Sequence, residues 1–297
     1  MPLEDIGGEC VFTSEIDRHA RETYAKNFGL HVDEIAGDIR EVHVTEIPDH
    51  DLLVGGFPCQ PFSHAGLKQG FEDARGTLFF EIHRIIEAKK PQVILLENVR
   101  GLRSHDGGNT LKRIVEVLES NYVITSRVFN SKDFGLPQNR ERIYICGIRR
   151  DVTNSQLFSL DRVQTPKINT SLGQILEPVV PTKYTISDRL WDGHKRRKAR
   201  HLQNGNGFGY RLFDESSIYT STISARYYKD GSEILISQNV GNPRKLTPRE
   251  AARLQGFPDT FLTATSEVQA YKQFGNAVSV NVVKAIAEEI VTFLKWE

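Results

Sequence analysis

The sequence has few cysteines and no long apolar run, and both absences exclude whole classes of protein. Its three cysteines, Cys10, Cys59 and Cys146, are too few and too widely spaced for a disulfide framework or a zinc site, so we expect no metal. No stretch of about 18 apolar residues occurs, so we expect no transmembrane helix and no membrane partner. The N-terminus lacks the basic and apolar regions of a signal peptide. The expected location is a reducing cytoplasm, where a reactive thiol can persist.

An excess of charge of one sign is also absent. Lysine and arginine total 38, aspartate and glutamate total 38, and the formal net charge of the 297 residues is zero. A neutral chain can still bind nucleic acid, because a local basic face is enough to contact phosphates. Hydrophobic residues make up 39% of the sequence, which is an ordinary share for a globular protein that buries a core.

The first half of the chain alternates short apolar runs with amphipathic stretches. The apolar runs predict strands at 10–14, 51–55, 92–96 and 142–148, and helical spacing predicts helices at 18–28 and 110–118. Continuous apolar strands between amphipathic helices indicate a parallel sheet that is covered on both faces. Residues 1–150 are therefore predicted to form a doubly wound α/β domain.

The sequence changes in character between residues 151 and 243. This range is richer in serine, threonine, asparagine and glycine, and it includes a candidate strand at 234–236 and the basic segment GHKRRKARH at 193–201. We predict that it forms a smaller, irregular or β-rich domain. Residues 244–297 are predicted to rejoin the first domain, because helical spacing returns there, at 247–255 and 280–294.

The segment GGFPCQPFS, at residues 55–63, is the sharpest local feature of the sequence. Two glycines follow a predicted strand and allow a tight turn, and Cys59 then lies in the kind of loop where parallel sheets bind ligands. A thiol held there is suited to act as a nucleophile. The alternative is a turn that contains a small buried residue, which is how most free cysteines behave.

Two further sets of polar residues flank predicted strands. Glu97 follows the apolar run QVILL, at the same edge of the sheet as Cys59, and burial there would raise the pKa of its carboxyl toward that of a proton donor. Arg140 and Arg142, in QNRER, alternate onto one side of the chain, where they can hold an anion or a polarised carbonyl. The plainer alternatives are a helix cap for Glu97 and a solvated charged edge for the two arginines.

Five motifs together give the sequence a specific family resemblance. PCQ, ENV and QNRER occur in this order, followed by RKLTPREAARLQGFP at 244–258 and YKQFGNAVSV at 271–280. With this set the chain resembles the DNA (cytosine-5) methyltransferases of the bacterial restriction-modification type. The resemblance implies a Rossmann-like methyltransferase domain and a target-recognition domain at 151–243. It also implies S-adenosylmethionine as the cofactor of a monomer that acts on double-stranded DNA.

The resemblance assigns roles to individual residues. Cys59 would add to carbon 6 of a cytosine that is flipped out of the duplex, while Glu97 would hydrogen-bond N3 and the exocyclic amine. Arg140 and Arg142 would steady the ring carbonyl and the neighbouring phosphate. The residues that match the cofactor contacts of the family are Glu15, Ile16, Asp38, Ile39, Gly56, Pro58, Leu78, Asn276, Ala277 and Val278. Those expected to contact DNA are Gln60, Ser63, Lys68, Arg75, Lys195, Arg196, Arg197, Thr222 and Arg226.

One feature that the family leads us to expect is missing. Family members begin with a strand and a glycine-rich loop of the type F-x-G-x-G-G, whereas Met1 falls about where the following helix should lie. The resemblance therefore implies an N-terminally truncated chain, or one that a separate peptide or subunit completes. Three rival readings stay open: a catalytically inactive DNA-binding remnant, a methyltransferase acting on transfer RNA, and a cysteine hydrolase with His64 as the partner of Cys59. The recognition segment looks most like those of enzymes whose sites begin with two cytosines.

Overall fold

A four-stranded mixed sheet is the central element of the computed structural model, which describes residues 1–58, 78–166 and 168–296. Its order is β1-β2-β4-β3. Strand β1 pairs with β2 in parallel, and β4 pairs with both β2 and β3 antiparallel. The strands are β1 (Leu52–Gly56), β2 (Val93–Val99), β3 (Tyr122–Asn130) and β4 (Glu141–Arg149).

The apolar run of β2 explains why the sheet is covered on both faces. Val93, Ile94, Leu95 and Leu96 are each at most 2% exposed. Ile94 and Leu96 belong to one hydrophobic core, and Val93 and Leu95 belong to a second. Successive side chains of a strand point to opposite faces, so a strand that is apolar at every position requires packing on both sides. The predicted doubly wound α/β class is confirmed.

The helices supply the outer layers of these two cores. Helices α2 and α3 pack on the first core, and α7 packs on the second. Helix α1 has the predicted bounds, since the Asp17 carboxylate caps its first turn and Gly29 ends it with a φ of 66°. The helices are α1 (Arg18–Phe28), α2 (Leu78–Lys89), α3 (Asn109–Leu118), α4 (Asp188–Gln203), α5 (Pro248–Leu254), α6 (Glu267–Asn276) and α7 (Val280–Leu294). Within the described ranges, each of them is too short or too polar to cross a lipid bilayer.

Two sequence-based expectations about the sheet are wrong. Residues 10–14 form no strand, and within the described part of the chain Ser14 makes an isolated bridge to Ala36 instead. The sheet is mixed rather than parallel, because residues 131–140 connect β3 to β4 with one short 3-10 turn. A parallel pair needs a much longer crossover. The sequence patterns did not predict strand β3. Its antiparallel pairing with β4 follows from that short connection.

The outer edge of β1 is open in the described part of the chain. Strand β1 pairs with β2 along one edge, and no described strand pairs with its other edge. Val54, in the middle of β1, is 49% exposed, although strands in parallel pairs are usually buried. This edge of the sheet is therefore less covered than β2, whose residues Val93 to Leu96 are each at most 2% exposed.

A third hydrophobic core joins the polar middle of the sequence to the C-terminal helices. Ile223 and Tyr227 come from the range 151–243, and Leu254 and Phe274 come from the last part of the chain, yet all four lie in the same cluster. The range 151–243 also contains helix α4, which carries the basic segment, and a parallel pair of short strands, β5 (Leu212–Phe213) and β6 (Leu235–Ile236). The segment that follows the central sheet is thus anchored by helices from the end of the chain.

Candidate active site

The carboxyl ends of β1 and β2 and the start of β4 meet around a small cavity. In the sheet register Gly56 of β1 lies beside Glu97 of β2, and Arg142 of β4 lies opposite Val99. The cavity has a volume of about 160 Å³. It is lined by Phe57, Pro58, Glu97, Asn98, Val99, Arg140, Arg142, Gly275 and Asn276. The fold therefore brings Glu97 next to Arg140 and Arg142, which follow it by more than forty positions in the sequence.

Glu97 and Arg142 form an ion pair inside this cavity. The Nε atom of Arg142 lies 3.0 Å from Oε1 of Glu97, and their side chains are 16% and 19% exposed, respectively. Burial raises the pKa of Glu97 above its ordinary value, and the positive charges of Arg142 and Arg140 oppose that rise. The rise prevails, so the carboxyl holds a proton more readily than an exposed glutamate does. This is a property that a proton donor at a reacting ring requires.

Arg140 is bound to backbone carbonyls on the far side of the cavity. It is 2% exposed, and its guanidinium donates to the carbonyls of Ile223 (3.2 Å), Gly275 (3.2 Å) and Ala277 (2.8 Å). Burial lowers its pKa to about 10, and the nearby positive charge of Arg142 adds to this effect. The guanidinium is therefore still charged at neutral pH. Most of its donors serve to hold the cavity wall together.

Asn98 is a site residue that the sequence analysis did not single out. Its side chain is 3% exposed, and Nδ2 donates to the carbonyl of Phe57 at 2.8 Å. Its Oδ1 accepts a hydrogen bond from the backbone N–H of Val99, also at 2.8 Å. Asn98 thus ties the end of β2 to the residue two positions before Cys59 in the sequence. The only sequence signal was its place in the ENV motif.

The predicted nucleophile, Cys59, lies outside the described residues. The same holds for four of the predicted DNA contacts, Gln60, Ser63, Lys68 and Arg75. Cys146 is fully buried within β4, and burial raises the pKa of its thiol, so it behaves as a small core residue. Cys10 is exposed. Among the described histidines, cysteines and carboxylates, no group of three or more is arranged to hold a metal ion.

One group of the predicted cofactor residues lies on two neighbouring segments. The backbone N–H of Glu15 donates to the carbonyl of Ala36 at 2.9 Å, and the Ser14 hydroxyl donates to the carbonyl of Gly37 at 2.7 Å. These bonds place Glu15 and Ile16 next to the segment that contains Asp38 and Ile39. The Asp38 carboxylate is paired with Arg40, which lowers its pKa to about 2. The two stretches predicted to bind one end of the cofactor are therefore adjacent.

The other predicted cofactor residues lie around the cavity or next to it. Pro58 and Asn276 line the cavity, and Ala277 accepts a hydrogen bond from Arg140. Leu78 packs on the first core and Val278 on the second, and both are partly buried. An ion pair of 2.5 Å between Lys272 of α6 and Asp17 joins this region to the segment that carries Glu15.

The predicted DNA contacts in the middle of the chain differ in exposure and in their partners. Lys195 and Arg197 are exposed on α4 and form ion pairs with Asp192 (2.7 Å) and Asp230 (3.0 Å). Arg196 lies between them and is also exposed, as is Arg226 in the loop after β5. The hydroxyl of Thr222, in contrast, donates to the carbonyl of Asn139 at 2.7 Å. Arg196 and Arg226 are thus the more accessible cations of the set.

The fold and the cavity together define a class of protein. A mixed sheet covered on both faces carries a buried acid against two arginines, and an adjoining segment presents exposed cations. This combination fits an α/β enzyme that acts on nucleic acid. The model of the family "C-5 cytosine-specific DNA methylase" matches residues 1–292, and the chain belongs to this family of cytosine-5 DNA methyltransferases.

Similar proteins cover nearly the whole chain. The Type II methyltransferase M1.ScrFI of Lactococcus lactis subsp. cremoris is 57% identical over 289 residues, which are 97% of this chain and 73% of that protein. The Type II methyltransferase M.DsaV of Dactylococcopsis salina is 51% identical over 295 residues, which are 99% of this chain and 83% of that protein. Among solved structures, the Dnmt2 methyltransferase of S. pombe covers 99% of this chain and 94% of its own, with a TM-score of 0.77 at 19% identity. That last likeness concerns the fold alone.

Proposed function

We propose that this chain transfers the methyl group of S-adenosylmethionine to carbon 5 of a cytosine that is flipped out of a short, specific sequence in double-stranded DNA. The observation that carries the proposal is the Glu97–Arg142 pair, a carboxyl of raised pKa beside a guanidinium in a cavity. Together the two side chains offer donors and acceptors to one edge of a small polar ring. Membership of the cytosine-5 family supplies the reaction class.

The chemistry assigns one task to each residue of the pocket. The Cys59 thiolate adds to carbon 6 of the ring, which makes carbon 5 a nucleophile. Glu97 hydrogen-bonds N3 and the exocyclic amine and shares its proton as negative charge develops on the ring. Arg142 donates to the ring carbonyl. Carbon 5 would then take the methyl group from the sulfonium sulfur, which keeps the electron pair of the broken carbon–sulfur bond as a neutral thioether. A base removes the proton of carbon 5, and the bond between the Cys59 sulfur and carbon 6 breaks.

Arg140 has a different part in this proposal. Its Nη1 and Nη2 atoms already donate to three backbone carbonyls, and its Nε, which has no partner among the described residues, is buried. Little of the guanidinium can therefore contact a base or a phosphate directly. We assign it the task of holding the cavity wall and of adding positive charge near the ring, and we leave the carbonyl contact to Arg142. Its charge favours the ionised forms of groups that become negative during the reaction.

The described residues fit the adenosine part of S-adenosylmethionine. The carboxylate of Glu15 lies at the end of an extended segment, where it suits the ribose hydroxyls. The side chain of Ile16 is 65% exposed beside it and offers an apolar surface to a purine ring. Asp38 and Ile39 lie on the adjacent segment. When bound, the cofactor supplies an electrophilic methyl group to the cavity that Pro58 and Asn276 line.

We assign sequence recognition to the range 151–243, with residues 1–150 and 244–297 as the catalytic part. The exposed cations of α4, Arg196 above all, suit phosphate contacts, which position a protein on DNA without reading its sequence. Arg226 suits a two-pronged contact to guanine in the major groove. M1.ScrFI and M.DsaV are named Type II methyltransferases, and we extend that setting, a restriction-modification system, to this chain as a monomer.

The open edge of β1 supports one addition to the proposal. Among the described residues no strand pairs with this edge, and Val54 is half-exposed there, so the edge is suited to accept a further strand. We propose that a parallel strand pairs with this edge and brings a glycine-rich loop to the cofactor, either from the same polypeptide or from a separate peptide. A chain that never receives that strand would be a DNA-binding remnant, which is the second candidate function.

The test is transfer of labelled methyl groups from S-adenosylmethionine to mixed duplex DNA. It uses the chain alone, a form extended at its N-terminus by a strand and a glycine-rich loop, and Cys59→Ser in whichever form is active. Transfer by either form supports the enzyme, and transfer by the extended form alone supports completion of the sheet. No transfer by either form, with DNA binding intact, supports the remnant. Methylation at the wild-type rate by the Cys59→Ser variant would contradict the nucleophile assignment.

A further inference from the structure

Three segments that are distant in the sequence meet behind the cavity. They are residues 138–140, 220–225 and 275–277, and we name their contact the recognition joint. The backbone N–H of Asn139 donates to the carbonyl of Thr220 at 2.9 Å, and the Thr222 hydroxyl donates to the carbonyl of Asn139 at 2.7 Å. Gln138 and Thr220 also form a parallel bridge. The segment that we assign to recognition thus pairs with the chain that leads into β4.

Gln138 and Arg140 hold the two ends of the same residue in this joint. The N–H of Ile223 donates to Oε1 of Gln138 at 3.0 Å, and the carbonyl of Ile223 accepts from Nη1 of Arg140 at 3.2 Å. Arg140 also lines the cavity, next to the Glu97–Arg142 pair. A shift of Ile223 would therefore move a group that faces the proposed substrate.

The other end of Gln138 is fixed as well. The side chain is fully buried, and Nε2 donates to the carbonyl of Leu254 and to Oε1 of Gln255, both at 3.1 Å. Gln255 in turn donates to the carbonyl of Phe274 at 2.6 Å. Burial of an amide costs free energy unless its donors and acceptor are hydrogen-bonded, as those of Gln138 are, and a buried network that is satisfied in this way makes the packing around it rigid.

The third segment of the joint approaches the recognition segment without any side chain between them. A Cβ atom placed on Gly275 would lie 2.3 Å from the backbone nitrogen of Ala225 and 2.3 Å from the carbonyl carbon of Ser224. The carbonyl of Gly275 accepts from Arg140 at 3.2 Å, and Asn276, the next residue, lines the cavity. The end of α6 and the recognition segment therefore have little freedom to move independently.

We infer that Gln138 is a positioning residue. It fixes the recognition segment, residues 220–225, against Arg140, so that bound DNA keeps a fixed position relative to the catalytic cavity. The inference rests on the proposed function, because it explains how DNA recognition by residues 220–225 is coupled to the position of the reacting cytosine. Gln138 touches neither substrate nor cofactor in this arrangement. It acts through Ile223 on one side and through Gln255 on the other.

The experiment compares Gln138→Leu, Gln138→Glu and a matched control, Tyr122→Phe. Tyr122 is also buried, and its hydroxyl donates to the carbonyl of Pro91 at 2.7 Å, in a strand away from the joint. Each variant is assayed for kcat and KM on mixed duplex DNA in the form of the protein that is active, and the methylated cytosines are mapped by bisulfite sequencing. Thermal unfolding measures the loss of stability of each variant.

We expect Gln138→Leu to lower kcat about tenfold or more, roughly the rate equivalent of one buried hydrogen bond, with a smaller change in KM. Methylation outside the wild-type sites should rise. Gln138→Glu should recover part of kcat toward acid pH, because a protonated carboxyl again offers both a donor and an acceptor. A kcat within about twofold of that of Tyr122→Phe, at the same sites and equal stability, would overturn the inference.

A second measurement is independent of catalysis, so that failure of the proposed function does not leave the inference undecided. Hydrogen–deuterium exchange is followed in peptides that cover 220–225, 275–277 and β2. In Gln138→Leu the first two should exchange faster than in the wild type while β2 is unchanged. Unchanged exchange in 220–225 would overturn the inference, whereas a wild type without methyl transfer would count against the proposed function alone.

Discussion

Nε of Arg142 lies 3.0 Å from Oε1 of Glu97, and this contact joins two strands that run in opposite directions. The antiparallel pairing of β2 with β4 makes it possible, because the end of one strand then meets the beginning of the other. Burial raises the pKa of Glu97 in spite of the arginine. The carboxyl therefore holds a proton more readily than an exposed glutamate does, which is the property that the proposed role in proton transfer requires.

The first prediction concerns the replacement Glu97→Gln. Gln has the same shape and can still accept a hydrogen bond from Arg142, but it cannot take part in proton transfer. We expect kcat to fall by about 10² to 10⁴, the usual contribution of a positioned acid or base. The measurement is single-turnover methyl transfer, with Glu81→Gln on α2 as the control for a partly buried glutamate in an arginine ion pair outside the cavity. A rate within about tenfold of wild type would contradict the role of Glu97.

The second prediction concerns the pH dependence of stability. The folded-state pKa of Glu97 is raised above 4.5, so folding favours the protonated carboxyl. The stabilising contribution is fully present below the unfolded pKa and is lost as the pH rises through the folded pKa. Glu97→Gln should therefore be at least as stable as the wild type at neutral pH, and this relative advantage should shrink in acid. Denaturant unfolding at several pH values tests this, and a variant whose advantage grew in acid would contradict it.

The third prediction concerns Asn98. Asn98→Asp has the same shape and still accepts from the Val99 N–H, but it can no longer donate to the carbonyl of Phe57 when ionised. We expect about 1–3 kcal/mol less unfolding free energy, because a buried acceptor loses its partner, and a clear loss of methyl transfer. Asn121→Asp is the control, since its amide donates to Glu87 at an exposed position. Wild-type stability and transfer in Asn98→Asp would show that the contact is dispensable.

The fourth prediction concerns Gly275→Ala. The new Cβ would lie 2.3 Å from backbone atoms of Ser224 and Ala225, so the end of α6 must move away from the recognition segment. We expect a loss of about 2–3 kcal/mol or more, as for other overpacked sites. Gly193→Ala is the matched control, because Gly193 lies inside α4 with nothing within 4 Å of its Cβ position. The control should gain about 0.5–1 kcal/mol from helix propensity, and thermal melts of both variants give the comparison.

The fifth prediction separates the roles of Arg196 and Arg226. Arg196→Gln should weaken binding to all duplexes alike and reduce the slope of log affinity against log salt by about 1, as expected for a lost phosphate contact. Arg226→Gln should cost about 1–3 kcal/mol on the recognised site and much less elsewhere. Lys112→Gln, on α3, is the exposed control. If the Arg226 variant bound every duplex more weakly by the same factor, Arg226 would be a phosphate contact and not a base contact.

The sequence was sufficient for those parts of the fold that local patterns determine. Helices 18–28 and 280–294 have the predicted bounds, because caps and apolar spacing mark them locally. The strand at 10–14 failed for the opposite reason: a strand needs a partner, and apolar composition does not provide one. The antiparallel pairing of β3 with β4 depends on the short connection at 131–140, which the periodicity of apolar residues does not reveal.

The candidate site was predictable in its motif residues and not in its supporting contacts. The family resemblance placed Glu97 and Arg142 in one site, whereas the predicted parallel sheet would have put them at opposite edges; the antiparallel pairing of β2 with β4 brings them together. The hydrogen bonds of Arg140 to Ile223, Gly275 and Ala277 join positions more than eighty residues apart. A local sequence pattern cannot predict such long-range contacts. The burial of Gln138 is equally invisible in QNRER, since glutamine is usually exposed.

With sequence recognition assigned to residues 151–243, as we propose, the third hydrophobic core also limits how DNA specificity can be exchanged between relatives. Its members come from both sides of residue 243, with Ile223 and Tyr227 on one side and Leu254 and Phe274 on the other. A chimaera that swaps residues 151–243 alone would cut through this packing and pair half of one core with half of another. A crossover that carries α5 and α6 with the donor segment would keep the core intact. In the evolution of such enzymes, new specificities should therefore be inherited together with the two helices that follow the recognition range.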